Sequence, residues 1–324
     1  MSSVGQGIDR VDARLKVTGK AVYAGEVPVG NVAYGVIVGS RIAKGRVTAL
    51  DTGAAAKAPG VLAVLTHLNA PKLPSARKKA GFADRVLQLL QDDQVLYADQ
   101  PIALIVADSL ERAQHAAALV VAQYDEATPD ADVETSRSSP FEPAATGPVG
   151  KPDTQRGGDI DEALAGAKAK VEVTYRTPVQ NHNPMEPHAT IAVWQGADRL
   201  TLYDATQGIF GVRKRIATIF DLPPENVRVV NHYVGGGFGC KGSPWSHVAL
   251  AVMAAKVVGR PVKLAVTRPQ MFALVGHRPK TVQRLSLGAD ANGKLVAMKH
   301  DVVNETSSFD EFTEPSAVQT TMLY

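Results

Sequence analysis

From Ala21 to Asp51 the apolar and β-branched positions come in short runs, at residues 21–23, 34–38 and 46–50, set apart by Gly and Pro. This pattern predicts a small mixed sheet. Between Pro101 and Tyr124 it changes to that of a βαβ element. Ile102-Ala103-Leu104-Ile105-Val106 is a continuous apolar strand, Asp108 is placed to cap a helix with Glu111 at the reciprocal position, and residues 119–124 lead back into a strand. Polarity then takes over from Thr128 to Gly158, where Pro129, Pro140, Pro143, Pro148 and Pro152 lie among Ser, Thr, Asp and Gly. Such a stretch is too long and too polar for a tight connection and reads as a linker.

Beyond the linker, a short Ala-rich helix starts near Asp159 and precedes a strand over 169–175. Residues 191–194 and 199–203 form the arms of a hairpin joined by Gln195-Gly196-Ala197-Asp198. An amphipathic helix follows, with Ile209, Val212, Ile216, Ile219 and Phe220 on one face and Arg213, Lys214 and Arg215 on the other, a basic triplet that reads as a solvated face. Residues 227–230 read as a strand. Ser243 is then placed to cap a helix with Pro244 in its first turn and an apolar body reaching Val258, ended by Gly259 and Pro261. Residues 318–324 are apolar and β-prone with no polar tail. They predict an interrupted last element, in a chain that is a piece of something longer or half of a split subunit.

Composition narrows the class. With 324 residues, 45% hydrophobic and 21% charged, the chain is an ordinary globular protein with room for two domains. Its net charge of +3 and sparse aromatics leave no nucleic-acid footprint. From Ser243 to Ala289 seven cations occur without an acid, a stretch that favours an anionic cofactor, forms a solvated basic face, or meets an acidic partner subunit. A single cysteine excludes an internal disulfide, and it excludes an iron–sulfur cluster or thiolate zinc site built from this chain alone. Residues 1–7 show neither a charged n-region nor an apolar core, and no apolar run reaches membrane-spanning length. The expectation is a cytoplasmic chain, or one exported to the periplasm with a signal-bearing partner.

The candidate chemistry centres on Val234-Gly235-Gly236-Gly237-Phe238-Gly239-Cys240-Lys241-Gly242. A run so rich in glycine, between a strand and a helix, bares backbone amides near a positive dipole end, which suits a phosphate, a pyrophosphate or a metal-bound oxo group. Residues 237–242 match G-x-G-x-x-G, but no acidic residue follows about twenty positions on to hold a ribose, so the nicotinamide reading fails. The P-loop fails as well, since it needs Gly at Cys240 and a hydroxyl at Gly242. Glu186 and His188, flanking Pro187, are too few to form a metal site and read as a hydrogen-bonded anchor.

Several stretches resemble, in order, the molybdenum-cofactor-binding large subunit of the xanthine dehydrogenase and aldehyde oxidase family, and in particular bacterial aldehyde oxidoreductases of the three-subunit periplasmic type. They are Asp9-Arg10-Val11-Asp12 with residues 16–21, residues 60–64 and 100–107, Met185-Glu186-Pro187-His188, Thr206-Gln207, residues 235–241, and Gly259-Arg260-Pro261-Val262. The resemblance implies an α+β fold, with an α/β-hammerhead domain and N-terminal arm over 1–127, the linker at 128–158, and the first part of a molybdopterin-binding domain over 159–324. It implies a molybdenum-pterin cofactor, plain or as its cytosine dinucleotide, in an enzyme that oxidises aldehydes to carboxylic acids with water-derived oxygen. The 2Fe-2S clusters and FAD belong to partner subunits. Gln207 matches a family glutamine whose amide bonds the apical oxo ligand of molybdenum. Phe238, among Gly236, Gly237 and Gly239, matches a position whose backbone N–H approaches that ligand. No metal ligand and no catalytic residue is implied in this chain; the general-base glutamate and later pterin-binding loops are expected in a C-terminal half or companion chain. Gly242 stands where purine-oxidising members carry a glutamate, and Cys240 stands where the family loop usually has glycine.

Two other readings stay open on the residues. One is a thiol enzyme in which Cys240 attacks a carbonyl with His232 or His247 as base. The other is a non-catalytic scaffold or assembly protein that kept the fold and lost the chemistry.

Overall fold

A computed structural model of the protein describes residues 4–73, 75, 85–135, 140–142, 157–310, 312 and 314–323. In chain order the elements are α1 (Ala13–Val17), β1 (Ala33–Gly39), β2 (Gly45–Asp51), α2 (Gly53–Lys57), β3 (Val61–Thr66), β4 (Gln94–Val95), β5 (Pro101–Ala107), α3 (Leu110–Ala118), β6 (Val121–Glu126), α4 (Ile160–Gly166) and β7 (Ala169–Thr177). They continue with β8 (Ala189–Gln195), β9 (Arg199–Asp204), α5 (Ile209–Phe220), β10 (Val227–Val230), α6 (Ser246–Val258), β11 (Val262–Ala265), β12 (Thr281–Ala289), β13 (Leu295–Asn304) and α7 (Ser316–Leu323).

The chain forms two compact units that do not follow it in sequence. One joins Met1–Ala127 with Asn183–Val275, and the other joins Thr128–His182 with Gly276–Tyr324. In the first, a seven-stranded sheet runs β10-β9-β8-β11-β1-β5-β3, and a three-stranded sheet runs β4-β2-β6. The early segment is tied to the later one by β1, which pairs in parallel with β11 at Ala33–Val262 and antiparallel with β5. Every residue of β5 is buried, as its unbroken apolar run requires of a central strand. Helix α6 is apolar almost all round, with Ser246 to Ala255 buried, and it packs on β8 and β11 as a core helix. The second unit is the antiparallel sheet β13-β12-β7 with α4 and α7 packed on β13. Asp159 caps α4 by accepting from the N–H groups of Asp161 and Glu162.

Several expectations change. Residues 21–23 form no strand and lead into a 3-10 turn at Ala24–Glu26. The βαβ reading of 101–124 fails as a sheet unit, because β5 belongs to the large sheet while β6 pairs antiparallel with β2 in the small one. Ser109 rather than Asp108 caps α3, accepting from Arg112 N, and Asp108 instead pairs with the Arg112 side chain at 2.6 Å. Arg215 is fully buried, not solvated, and its guanidinium donates to the Arg85 carbonyl at 3.0 Å. Helix α6 starts at Ser246, after Trp245 rather than Ser243. The β-prone tail is the helix α7, in which propensity is overridden. Of the linker, the described residues 128–135, 140–142 and 157–158 carry no helix or strand; 136–139 and 143–156, with Pro143, Pro148 and Pro152, lie outside the described residues.

One feature of the sheet positions the site. Strands β9 and β10 are parallel neighbours, with Val230 opposite Tyr203, and α5 crosses between them. Their carboxyl ends therefore open side by side. Residues 205–208 leave one and the glycine loop leaves the other, so segments about thirty residues apart in sequence meet at the edge where open α/β sheets bind ligands.

Candidate functional site

The two loops are fastened to each other by backbone bonds. Gln207 N donates to Lys241 O at 2.8 Å, and the Thr206 hydroxyl donates to the same carbonyl at 3.0 Å while accepting Gly208 N at 3.0 Å. The Gln207 side chain then reaches into the loop. Its Oε1 accepts from Gly239 N at 3.0 Å and from Lys241 N at 3.3 Å. This fixes which end of the carboxamide is which: the oxygen is occupied by two donors, and the amide nitrogen is the end left to donate elsewhere.

Gly237 explains part of the glycine content. A Cβ built there would lie 2.3 Å from Gln207 Oε1 and 2.5 Å from its Cδ, so any side chain displaces the carboxamide. The backbone is left-handed at Gly236, Phe238 and Gly239, with φ of 94°, 53° and 103°. Phe238 holds this conformation despite its Cβ, a strained state of the kind that accompanies binding loops. Such alternation turns successive N–H groups toward a common concavity. Around it the other amides are engaged: Gly235 N with Glu186 Oε2 at 2.8 Å, Cys240 N with Gly237 O at 2.9 Å, and Gly242 N with Gly239 O at 3.0 Å. Among the described residues, none bonds to the N–H groups of Gly236, Gly237 or Phe238. The five residues singled out in sequence, Gln207, Gly236, Gly237, Phe238 and Gly239, are thus brought together in one cradle.

Beneath it lie groups that sequence reasoning used only in part. Glu186 and His188 act as anchors: Glu186 holds Gly235 and Lys241, and His188 Nε2 lies 3.3 Å from Cys240 O. Among the described residues no group of three or more His, Cys, Asp or Glu is placed to hold a metal ion. Asp204, at the end of β9, is fully buried and bonded by the Thr190 hydroxyl across the strand pair. Burial pushes its carboxyl up to about 7, against the pull of the Thr190 hydroxyl and the Lys241 charge. The sequence does not mark Lys241 and Asp204 as buried site groups. The only signal for Lys241 was a cation closing a glycine run; a lone Asp at a strand end gives none.

The thiol reading is overturned. Cys240 is 2% exposed, its Sγ donates to Gly237 O at 3.0 Å, and burial pushes the thiol up, with the Lys241 charge only partly opposing. A nucleophile needs the reverse. His247 is buried and held well below the ordinary imidazole range by desolvation, with the charges of His188 and Lys241 adding to it, so it is a poor base.

A cradle of amides unpaired among the described residues, at the carboxyl ends of two parallel strands, walled by glycine and backed by buried charges, is of the kind that suits an anionic or oxo-bearing group. Comparison with known proteins then gives the family. Residues 141–323 match the molybdopterin cofactor-binding domain, and residues 18–128 match the a/b hammerhead domain of aldehyde oxidase and xanthine dehydrogenase. The chain belongs to the xanthine dehydrogenase and aldehyde oxidase family, and its α+β fold is a hammerhead domain followed by a molybdopterin-binding domain. Among curated relatives it is 44% identical over 300 residues to the aldehyde oxidoreductase molybdenum-binding subunit PaoC of Escherichia coli (strain K12), covering 92% of this chain. Among solved structures it is similar to reconstituted CO dehydrogenase from Oligotropha carboxidovorans, with TM-score 0.78, 26% identity, 92% of this chain and 39% of that one. It is similar also to the aldehyde oxidoreductase from Desulfovibrio gigas, with TM-score 0.76, 25% identity, 93% of this chain and 34% of that one. The chain spans 39% of the length of PaoC. Among the described residues no helix is long and apolar enough to cross a membrane.

Proposed function

We propose that this chain forms the N-terminal part of the molybdenum-cofactor-binding subunit of a hydroxylase that converts aldehydes to carboxylic acids. In the overall reaction an aldehyde and water give the acid, two protons and two electrons. The electrons pass to iron–sulfur clusters and FAD on partner subunits. The observation that carries the reading is the cradle itself: three consecutive N–H groups without a partner among the described residues, beside a carboxamide whose oxygen is already occupied.

The residues fit a molybdenum-pterin group, plain or as its cytosine dinucleotide. A neutral donor set suits an oxo ligand, because it hydrogen-bonds the oxygen without competing for the metal. When bound, the cofactor supplies the two-electron oxidation and the site of oxygen transfer. Gln207 Nε2 and the N–H groups of Gly236, Gly237 and Phe238 would hold its oxo face, while the Gly237 position keeps every Cβ out of the way. Phe238, 66% exposed, lays its ring beside Gly236, where an added Cβ would lie 3.1 Å from its Cε2. The absence of a carboxylate at Gly242 supports an aldehyde over a purine substrate. We read residues 1–127 as the hammerhead domain with its arm and 159–324 as part of the cofactor domain, completed by a C-terminal half or companion chain that carries the general base.

The test is assembly of this chain with a candidate C-terminal half and the iron–sulfur and flavin subunits, followed by metal analysis and aldehyde oxidation in ¹⁸O-water. Expected are molybdenum near one per assembled subunit and label in the carboxylate. Aldehyde oxidation without molybdenum, or with unlabelled product, rejects the reading. In the same assembly Cys240→Ala is expected to keep turnover within about twofold and to cost about 1 kcal/mol of stability, the value of one buried hydrogen bond. Near-complete loss of activity with molybdenum retained would reinstate the nucleophile.

A further inference from the structure

The glycine loop is clamped at both ends by one residue of a distant segment. At its start, Glu186 N donates to Gly235 O at 3.0 Å and Glu186 Oε2 accepts from Gly235 N at 2.8 Å. At its end, the Lys241 ammonium lies 2.7 Å from Glu186 Oε2 and 2.9 Å from Glu186 O. The Lys241 side chain is wholly buried and that of Glu186 is 12% exposed. Glu186 is itself held from behind, since Arg268 donates to the carbonyls of Pro184 and Met185 at 2.8 and 2.9 Å. Between the two clamped ends lie only residues 236–240.

A buried ion pair adds little net stability, because desolvation of both charges offsets their attraction. What it does supply is geometry: one carboxylate oxygen receives a backbone amide and an ammonium, so the spacing between Gly235 and Lys241 is set by contacts at both ends. We propose that Glu186 and Lys241 are a positioning pair that holds the loop open at the width at which the N–H groups of Gly236, Gly237 and Phe238 stay unpaired with protein, and so governs retention of the oxo-bearing anionic cofactor. Without the clamp those amides are free to close on nearby carbonyls, as the Cys240 and Gly242 amides already do within the loop. The pair touches no reacting atom. The inference rests on the cofactor reading above, and the measurement is chosen to separate the two.

The full-length subunit in its assembled complex is compared with its Lys241→Met and Glu186→Gln variants by hydrogen exchange, with molybdenum content measured alongside. For Lys241→Met, exchange at the Gly235 and Gly239 amides, which are bonded to Glu186 and Gln207, is expected to rise about tenfold or more, the equivalent of one lost charge-assisted hydrogen bond, with α6 unchanged. Molybdenum per subunit falls with it. Glu186→Gln, whose amide oxygen still accepts from Gly235 N, is expected to show a smaller change in the same direction. Loop exchange equal to wild type in both variants overturns the proposal, as does a rise shared equally by α6, which marks a merely structural role. Selective loosening with unchanged molybdenum also overturns it. Should Lys241→Met fail to fold, Glu186→Gln decides alone by the same criteria. If the wild-type complex holds no molybdenum, the cofactor reading fails, and the exchange data still report whether the clamp exists.

Discussion

Replacing Gln207 by Glu in the full-length assembled subunit is expected to lower kcat about 10²- to 10³-fold, the usual effect of deleting one preorganised donor, while leaving the glycine loop in place. The substitution separates the two ends of the carboxamide. A carboxylate still accepts from Gly239 N and Lys241 N, now 3.0 and 3.3 Å from Oε1, so the loop keeps its fastening. What disappears is the N–H donor, replaced by an oxygen that repels an oxo group. Gly237→Ala reaches the same end by the opposite route. Its Cβ would sit 2.3 Å from Oε1, so the carboxamide must swing away and both fastenings break. Kinetics and hydrogen exchange together tell the variants apart: Gln207→Glu slows turnover with loop exchange unchanged, and Gly237→Ala alters both. Full kcat in Gln207→Glu would remove this side chain from any role at the cofactor.

The same residues show how far sequence alone reaches. The glycine run announced a cradle because bare amides between a strand and a helix have few other uses, and Gln207 entered through the resemblance to a family motif. Strand β10, the β8–β9 hairpin and α5 were legible from period and turn residues, and together they bring Gln207 to the loop. The order of the large sheet was not legible. The pairing of β1 with β11 joins residues more than two hundred positions apart, and no local pattern encodes such a contact. Arg215 shows a second limit. On a helical wheel a basic triplet reads as solvated, yet one long side chain of the three turns inward and reaches a carbonyl in another segment. Lys241 and Asp204 show a third, since a buried charge is recognisable only when its partners are known, and Glu186 and Thr190 lie 55 and 14 positions away.

Asp204 leads to the second large effect. Its folded carboxyl titrates at about 7 against an ordinary 3.8, raised chiefly by burial, so the native state prefers the neutral acid. The stabilisation this gives is fully present below the unfolded value of 3.8 and is lost as pH rises through about 7. Asp204→Asn keeps the shape and the bond with Thr190 but carries no charge at any pH. The variant is therefore expected to match wild type near pH 4, to gain on it steadily above that, and to level off above pH 7.5 with an advantage approaching about 4 kcal/mol. Denaturant unfolding of the full-length subunit across that range measures the gap. An advantage independent of pH, or a loss at high pH, would mean that the carboxylate is better compensated than its burial implies. Besides the Thr190 hydroxyl, the Lys241 charge favours the ionised form, and it is already committed to Glu186. Removing that cation should therefore push the Asp204 titration higher still, and the pH at which the two unfolding curves part in a Lys241→Met background reads this directly.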